Sequence, residues 1–376
     1  MAKQSRHIER VCSSCFEDAD LRRWIRARSG PRGCDACGGF DSPTLPIGTV
    51  ADRIAEGLRK LYGFAVEQLP YESAEGGYMG KTLTTFEVLD EIDFSLPRDD
   101  GELLQALLSA LPNELWCDYD WLALDDDEVL RLSWKKFCTV VKHERRFFFH
   151  DKGARPDDHD ARSAVELLKA IGSLSDELGL IKIMPRGGRL YRARPLEEVR
   201  SRAIAIDFGP PPKDKALQSN RMNPPGIPMM YAALRPLTAK REIRAKSAAV
   251  GCWRLLRDAR LLDLTCDPHP GWIFSEAERR QILGANFLSE FRRAIAEPVA
   301  RDERVHVDYI PSQVVTEYLR EHDFDGGPID GVRYPSVVDE KGVNVALFVE
   351  ESALCVDVQP NVRVGPWLFF EGACRR

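Results

Sequence analysis

The 376-residue chain contains no stretch approaching the roughly 18–20 consecutive apolar residues that a helix needs to cross a bilayer. Its opening, MAKQSRHIERVCSSC, has no apolar segment of the kind a secretory signal carries. These two absences lead us to expect a soluble, cytoplasmic protein with no membrane partner. Positive charge is not in surplus either: 53 Lys and Arg stand against 59 Asp and Glu, for a net charge of -6. Proteins that grip nucleic acid over a broad surface usually carry a basic face, so nucleic acid is not the expected partner, although a local basic pocket stays open. There is no internal repeat and no low-complexity segment. With 44% hydrophobic and 30% charged residues, the composition is that of a globular protein and excludes wholesale disorder. At about 150 residues per domain, the length suggests two or three domains.

Cysteine is present in quantity, with ten residues, and four of them are patterned. Cys12 and Cys15 form one Cys-x2-Cys pair, Cys34 and Cys37 a second, and residues 16–33 separate them. A tight Cys-x2-Cys turn lets two thiolates meet one ion, and two such knuckles complete a tetrahedral four-thiolate set, the spacing of a zinc ribbon. Gly38-Gly39 after the second pair suits a knuckle whose backbone N–H groups approach sulfur. A chance cluster or a redox pair is the competing reading. A closed four-cysteine site has no open coordination position, so the expected role of zinc is structural. The other six cysteines, at 117, 138, 252, 266, 355 and 374, stand singly and are expected to be mostly core residues. Disulfides are not expected in a cytosolic chain.

Pro43 to Pro46 marks a boundary after the ribbon. Helical periodicity predicts helices over 50–62, 103–111, 129–149 and 163–171. The acidic run Asp118, Asp120, Asp125, Asp126, Asp127 and Glu128 reads as a solvated face or as helix N-terminal charge. Residues 152–160 read as a linker. From about Leu180 the pattern shifts to short β runs at 181–184, 190–193, 227–233, 249–256, 261–265, 329–334, 343–349 and 354–358. Helices are expected at 238–246, 275–296 and 311–319. The expected fold class is therefore α+β: a zinc ribbon over 1–45, a mostly helical domain over 46–160, and an α+β domain over 161–376.

Chemistry is most concentrated in the segment Asn220-Arg221-Met222-Asn223-Pro224-Pro225-Gly226, a turn feeding the run Ile227 to Tyr231. Such a turn can present an Arg and an Asn to a ligand in a cleft. Upstream, Arg192 and Arg194 lie two apart on a β run, and a guanidinium fork matches phosphate oxygens. Glu242 lies on a predicted helix, and Tyr334-Pro335-Ser336 ends a strand. Taken singly, each of these residues also has an ordinary structural role available.

Together these segments resemble the RES domain family. The matching pieces are LYRAR, NRMNPPGIPMMYAA, Glu242 within TAKREIRA, and YPS followed by GVNVALF, spanning about Leu190 to Val349. The family pattern at the turn is Gly-Arg-Trp-Asn, where this chain has Asn220-Arg221-Met222-Asn223. The resemblance implies a fold similar to ADP-ribosyltransferase toxins. It also implies a toxin of a toxin–antitoxin system that cleaves the nicotinamide–ribose bond of NAD by hydrolysis or phosphorolysis. Arg192 and Arg221 would then grip the NAD pyrophosphate or a reacting phosphate. Tyr231 would pack on the nicotinamide or its ribose, Glu242 would hold the ribose hydroxyls and offset developing positive charge, and Ser336 would orient the nicotinamide side. Transfer of ADP-ribose to a protein is an alternative. Another is a binding module whose ribbon recognises nucleic acid or protein beside an inactive RES-like half.

The N-terminal half resembles zinc-ribbon regions found ahead of RES or HEPN effector domains, which look like sensor or regulatory modules. Arg145 and His150 fit the Arg-x4-His spacing of HEPN ribonucleases. However, Arg146 replaces the usual polar residue and Phe147, Phe148 and Phe149 read as core, so an ordinary helix end is the preferred reading. The remaining histidines show no metal-ligand spacing.

Overall fold

The computed structural model describes residues 7–28, 30–40, 42–74, 76–97, 101–149, 160–268, 270–297, 304–355 and 366–375. It forms two compact units, Met1–Glu128 with His269–Gly284 and Val129–Pro268 with Ala285–Arg376. Most of the proposed linker, 152–159, lies outside the described residues.

In the first unit, β1 (Arg10–Cys12) pairs antiparallel with β2 (Thr44–Pro46), which closes the four-cysteine segment at its base. Between them α1 (Ala19–Arg26) starts at Asp18, whose carboxylate accepts the Leu21 N–H at 2.7 Å. Its short apolar stripe of Leu21 and Ile25 is why periodicity alone does not announce it. Helix α2 (Ile47–Leu58) stops four residues before the expected end, because Tyr62 enters β3 (Tyr62–Phe64) and pairs with β6 (Trp116–Asp118). Close by in sequence come α3 (Ala65–Gln68) and a small hairpin of β4 (Tyr71–Glu72) and β5 (Gly77–Tyr78). Helix α4 (Thr85–Glu91) opens on a capping box in which Thr84 and Glu87 satisfy each other's backbone N–H. Helix α5 (Glu102–Ala110) follows within a residue of the expected bounds. Val11, Ile25, Val50, Ile54, Leu58, Trp116 and Phe274 form a single buried core.

Helix α6 (Asp126–Thr139) begins on Asp126, Asp127 and Glu128, so part of the acidic run is charge at a helix N-terminus. It passes into a π-helical turn at Val140–Glu144 and ends there, short of residue 149. Phe147 and Phe148 are 85% and 74% exposed, which corrects the expectation that all three phenylalanines are core; only Phe149 is partly buried.

The second unit holds a nine-stranded mixed sheet. Its strands are β7 (Ile181–Met184), β8 (Arg189–Pro195), β9 (Met230–Ala233), β10 (Ala248–Leu255), β11 (Ala259–Asp263), β12 (Gly331–Pro335), β13 (Val343–Leu347), β14 (Leu354–Cys355) and β15 (Leu368–Arg375). Their spatial order is β14-β15-β10-β8-β9-β13-β12-β11-β7, with only β11–β12 and β14–β15 parallel. The last strand, β15, is not anticipated by the sequence reading, and 356–358 of the expected run at 354–358 lie outside the described residues.

Strand periodicity gives the sheet two apolar faces. Leu262, Tyr231 and Ala346 join a cluster with Leu168 and Ile171 of α7 (Ala164–Glu177), Phe287 and Phe291 of α9 (Arg279–Ala296) and Val315 of α11 (Ile310–Glu321). Their sequence neighbours Leu261, Met230, Ala232, Val345 and Leu347 pack on the other side with Phe208, Trp253 and Trp367. Helix α8 (Pro236–Ile243) packs Ala239 and Ile243 against Ala193, Ala233 and Val250. It ends before the expected Lys246 because Arg244 turns left-handed at φ 50°. Helix α10 (Val305–Asp308) leads into α11. The architecture is α+β, as expected.

Candidate functional site

Glu242 lies in the last turn of α8, half-buried. Its Oε1 accepts two hydrogen bonds of 2.6 Å, from Ser336 Oγ and from Asn344 Nδ2. Asn344 is 5% exposed on β13, opposite Ala233 on one side and Tyr334 on the other. Ser336, 8% exposed, closes a tight loop after β12: its Oγ accepts the N–H groups of Val338 and Asp339, and its own N–H donates to the Gly342 carbonyl. Ser336 and Glu242 are thus brought into direct contact. Asn344 is the member of this group that sequence reading left out, although it lies in the quoted GVNVALF run; a buried Asn on an otherwise apolar strand is the signal that could have found it.

The turn 220–223 is built from below by α11. Gln313 donates to Ser219 Oγ and to the carbonyls of Asn220 and Asn223, and Ser312 Oγ donates to the Arg221 carbonyl at 2.5 Å. Asn220 does not adopt a positive φ, so the glycine of the family pattern is not needed there. Met222, 1% exposed, fills the place of the large apolar residue and accepts a contact from Thr316 Oγ1. Tyr231 locks the same turn: its hydroxyl donates to Asn223 Oδ1 at 2.7 Å and accepts the Met222 N–H. Burial pushes the Tyr231 and Tyr334 hydroxyls well above the usual phenol range, so both stay protonated.

The two arginines are placed differently. Arg221 donates through Nη1 to the carbonyls of Ile295 and Glu297 at the end of α9, and its guanidinium lies 5.5 Å from the Tyr309 ring centroid. Arg192 pairs with Gly251 and lies near enough to Tyr231 for each to bear on the other's charge. It sits where β8 and β9 part, since only Tyr191 and Ala233 pair between those strands. Its Nη1 is buried and, among the described residues, has no hydrogen-bond partner, and burial, with Arg194 beside it, weighs against its charge.

The sulfurs of Cys12, Cys15, Cys34 and Cys37 lie within 4.8 Å of one another. Individual separations are 3.9 Å for Cys12–Cys15, 3.6 Å for Cys12–Cys37 and 3.5 Å for Cys15–Cys34. Tetrahedral bonds of about 2.3 Å to a central ion would set sulfurs about 3.8 Å apart. The donor set therefore fits a metal ion. The second knuckle is shaped by Gly38, at φ 69°, whose N–H donates to the Cys34 carbonyl at 2.8 Å. None of the four forms a disulfide. Of the remaining cysteines, Cys117 is buried, Cys138, Cys252 and Cys355 are half-buried, Cys266 is exposed, and the side chain of Cys374 lies outside what is described, so a plain core role holds for fewer of them than expected.

Residues 189–367 match the family model described as RES domain. The chain carries a RES domain. Residues 27–155, ahead of it, match the model described as HEPN/RES N-terminal domain 1. We find no match among curated proteins or among solved structures. The RES domain implies a toxin-like effector family whose members are enzymes acting on NAD. Arg145, at the end of the π-helical turn, is exposed, and His150 lies outside the described residues. Among the described residues no helix is long and apolar enough to cross a membrane.

Proposed function

We propose that this chain consumes NAD by cleaving its nicotinamide–ribose bond, as an NAD glycohydrolase or phosphorylase. The observation that carries the reading is the Glu242 carboxylate. Ser336 and Asn344 hold Oε1, while among the described residues no donor reaches Oε2. A carboxylate with one oxygen pinned presents a fixed negative charge through the other. Cleavage of a glycosidic bond passes through an oxocarbenium-like state, and charge positioned in advance stabilises such a state most. The C1′–N bond breaks with its electron pair leaving on nicotinamide. An oxygen of water or phosphate then bonds to C1′, and for water a proton is released.

Glu242 Oε2 would hold the ribose hydroxyls and face the developing positive charge. Ser336 would orient the nicotinamide side from its rigid loop. Tyr231, its hydroxyl engaged with Asn223, would offer its ring to the nicotinamide or ribose. The partnerless Nη1 of Arg192 supports a role in gripping the pyrophosphate, because a phosphate oxygen would satisfy a buried donor that is otherwise costly. Arg221 would join it through Nε and Nη2, since Nη1 is engaged with α9.

Within the same reading, residues 1–45 form a ribbon in which Cys12, Cys15, Cys34 and Cys37 hold structural zinc. Residues 46–160 form a sensor or regulatory domain, and residues 161–376 form the catalytic domain, similar to ADP-ribosyltransferases. A cytoplasmic enzyme that drains NAD endangers its own cell, which favours a neutralising antitoxin as partner.

The test is nicotinamide release from NAD by the purified chain, with and without phosphate, followed by chromatography. Release that falls about a hundredfold or more in Glu242→Gln is expected, and the second product names the acceptor. Release that needs a protein partner, which gains the mass of ADP-ribose, would instead mean protein ADP-ribosylation. No release under any of these conditions overturns the proposal.

A further inference from the structure

Asp339 stands three residues after Ser336 and is only 5% exposed, an uncommon place for a carboxylate. All its side-chain partners come from α8 or the residue that starts it. Thr238 Oγ1 donates to Oδ2 at 2.5 Å, Arg235 Nη2 to Oδ2 at 3.2 Å, and Arg241 Nη1 to Oδ1 at 2.8 Å. These donors, the Thr238 hydroxyl foremost, hold the carboxyl below the usual carboxylate range. The Asp339 backbone is equally committed: its N–H donates to Ser336 Oγ at 3.2 Å and its carbonyl accepts the Gly342 N–H at 2.6 Å. Gly342 leaves no room for error, since a Cβ there would lie 2.6 Å from Thr238 Cγ2 and 2.8 Å from the Asp339 carbonyl oxygen. The carboxylate therefore adds a second tie, beside the Ser336–Glu242 bond, between the helix that carries Glu242 and the loop that carries Ser336.

We propose that Asp339, together with Thr238 and Arg241, is a positioning residue that sets the register between α8 and the loop 336–342, and so fixes the 2.6 Å contact between Ser336 and Glu242. For its catalytic consequence the inference rests on the NAD-cleaving reading above. Asp339 touches neither substrate nor reacting atoms in that reading; it acts through Ser336. A displacement of about 1 Å at a positioned group costs on the order of a hundredfold in rate. Two variants separate positioning from general damage. Asp339→Ala removes the whole clamp and leaves Arg235 and Arg241, both nearly half exposed, able to turn to solvent. Thr238→Val keeps the volume and removes one donor.

Two measurements decide the matter. The first is amide hydrogen exchange at residues 338 and 339, which needs no NAD. Faster exchange there in both variants, with the β8–β10 ladder still protected, is expected. Unchanged exchange at these amides overturns the clamp. The second is steady-state kinetics of nicotinamide release. We expect kcat to fall about tenfold in Thr238→Val and about a hundredfold in Asp339→Ala, with KM for NAD within about threefold of the parent. Parent-like kcat in both variants overturns the positioning role. If the unaltered chain releases no nicotinamide, the NAD reading fails, and the exchange measurement still decides whether Asp339 clamps the loop.

Discussion

Arg192 and Glu242 sit in opposite situations. The Glu242 carboxylate is supplied with donors on one oxygen, whereas the Arg192 guanidinium is buried with its Nη1 unserved. An unserved buried cation costs stability in the empty protein and is repaid when an anion arrives. Arg192→Met should therefore raise the stability of the ligand-free chain by about 1–3 kcal/mol, read from urea unfolding. The same variant should weaken NAD binding, read by calorimetry. A variant that is both less stable and unaltered in NAD binding would show that Arg192 is a packing residue. Asn344→Ala makes a second residue-scale test: with Ser336 alone left to hold Oε1, nicotinamide release should fall by about tenfold, less than in Glu242→Gln.

At the scale of elements, a chemical signal at a helix end does not by itself make the helix legible: α4 opens on a capping box yet is not among the expected helices, and α7, expected over 163–171, runs on to Glu177. Helix α7 opens on Ser163, whose Oγ accepts the Glu166 N–H while the Glu166 carboxylate accepts the Ser163 N–H at 2.9 Å. Ser163→Ala should cost about 1 kcal/mol at neutral pH, measured by chemical denaturation. Hydrogen bonds from the Ser163 backbone and hydroxyl lower the Glu166 pKa below its usual 4.5. A lowered carboxylate pKa means that the folded state holds its proton less tightly than the unfolded state. The stabilisation from Glu166 is then fully present above about pH 4.5 and is lost as pH falls through the folded-state value. Glu166→Gln should remove that part of the acid dependence and leave the neutral-pH cap bond from Ser163 Oγ in place. Helix α1 and strand β15 went unseen for a physical reason: α1 has only two buried apolar positions, and β15 derives its place from pairing with β10, far away in sequence. Helix α6 ran shorter than its apolar pattern because the chain leaves the α-helical repeat at Val140.

For the molecule as a whole, the thiol cluster and the carboxylate belong to different units. The four thiols gather in the first unit and the Glu242 group in the second. Metal binding to a four-thiolate site contributes directly to folding. Cys12→Ser, or a strong chelator, should therefore strip protection from the amides of β1 and β2 in hydrogen exchange, and elemental analysis of the unaltered chain should find one zinc per chain. Zinc content near zero in freshly purified protein would remove the metal from the account.

The sequence by itself determined what is local. Periods of 2 and 3.6 residues imprint sheet and helix on the chain, so β7, β8, β10 and α11 could be placed from it. Two Cys-x2-Cys turns specify a four-sulfur cluster because each turn spans only four residues. The short runs around Arg192, Arg221, Tyr231, Glu242 and Ser336 also named the RES domain. Only the tertiary structure decided how those residues meet. Asn344 reaches Glu242 across 102 residues and Ser336 does so across 94, through strand register that no local pattern encodes. The tertiary fold also brings Arg192 within electrostatic reach of Tyr231 and ties Arg221 to the end of α9. Strand pairing is set by which apolar faces can be buried together over the whole unit, and a shift of one residue would exchange every side chain between those faces.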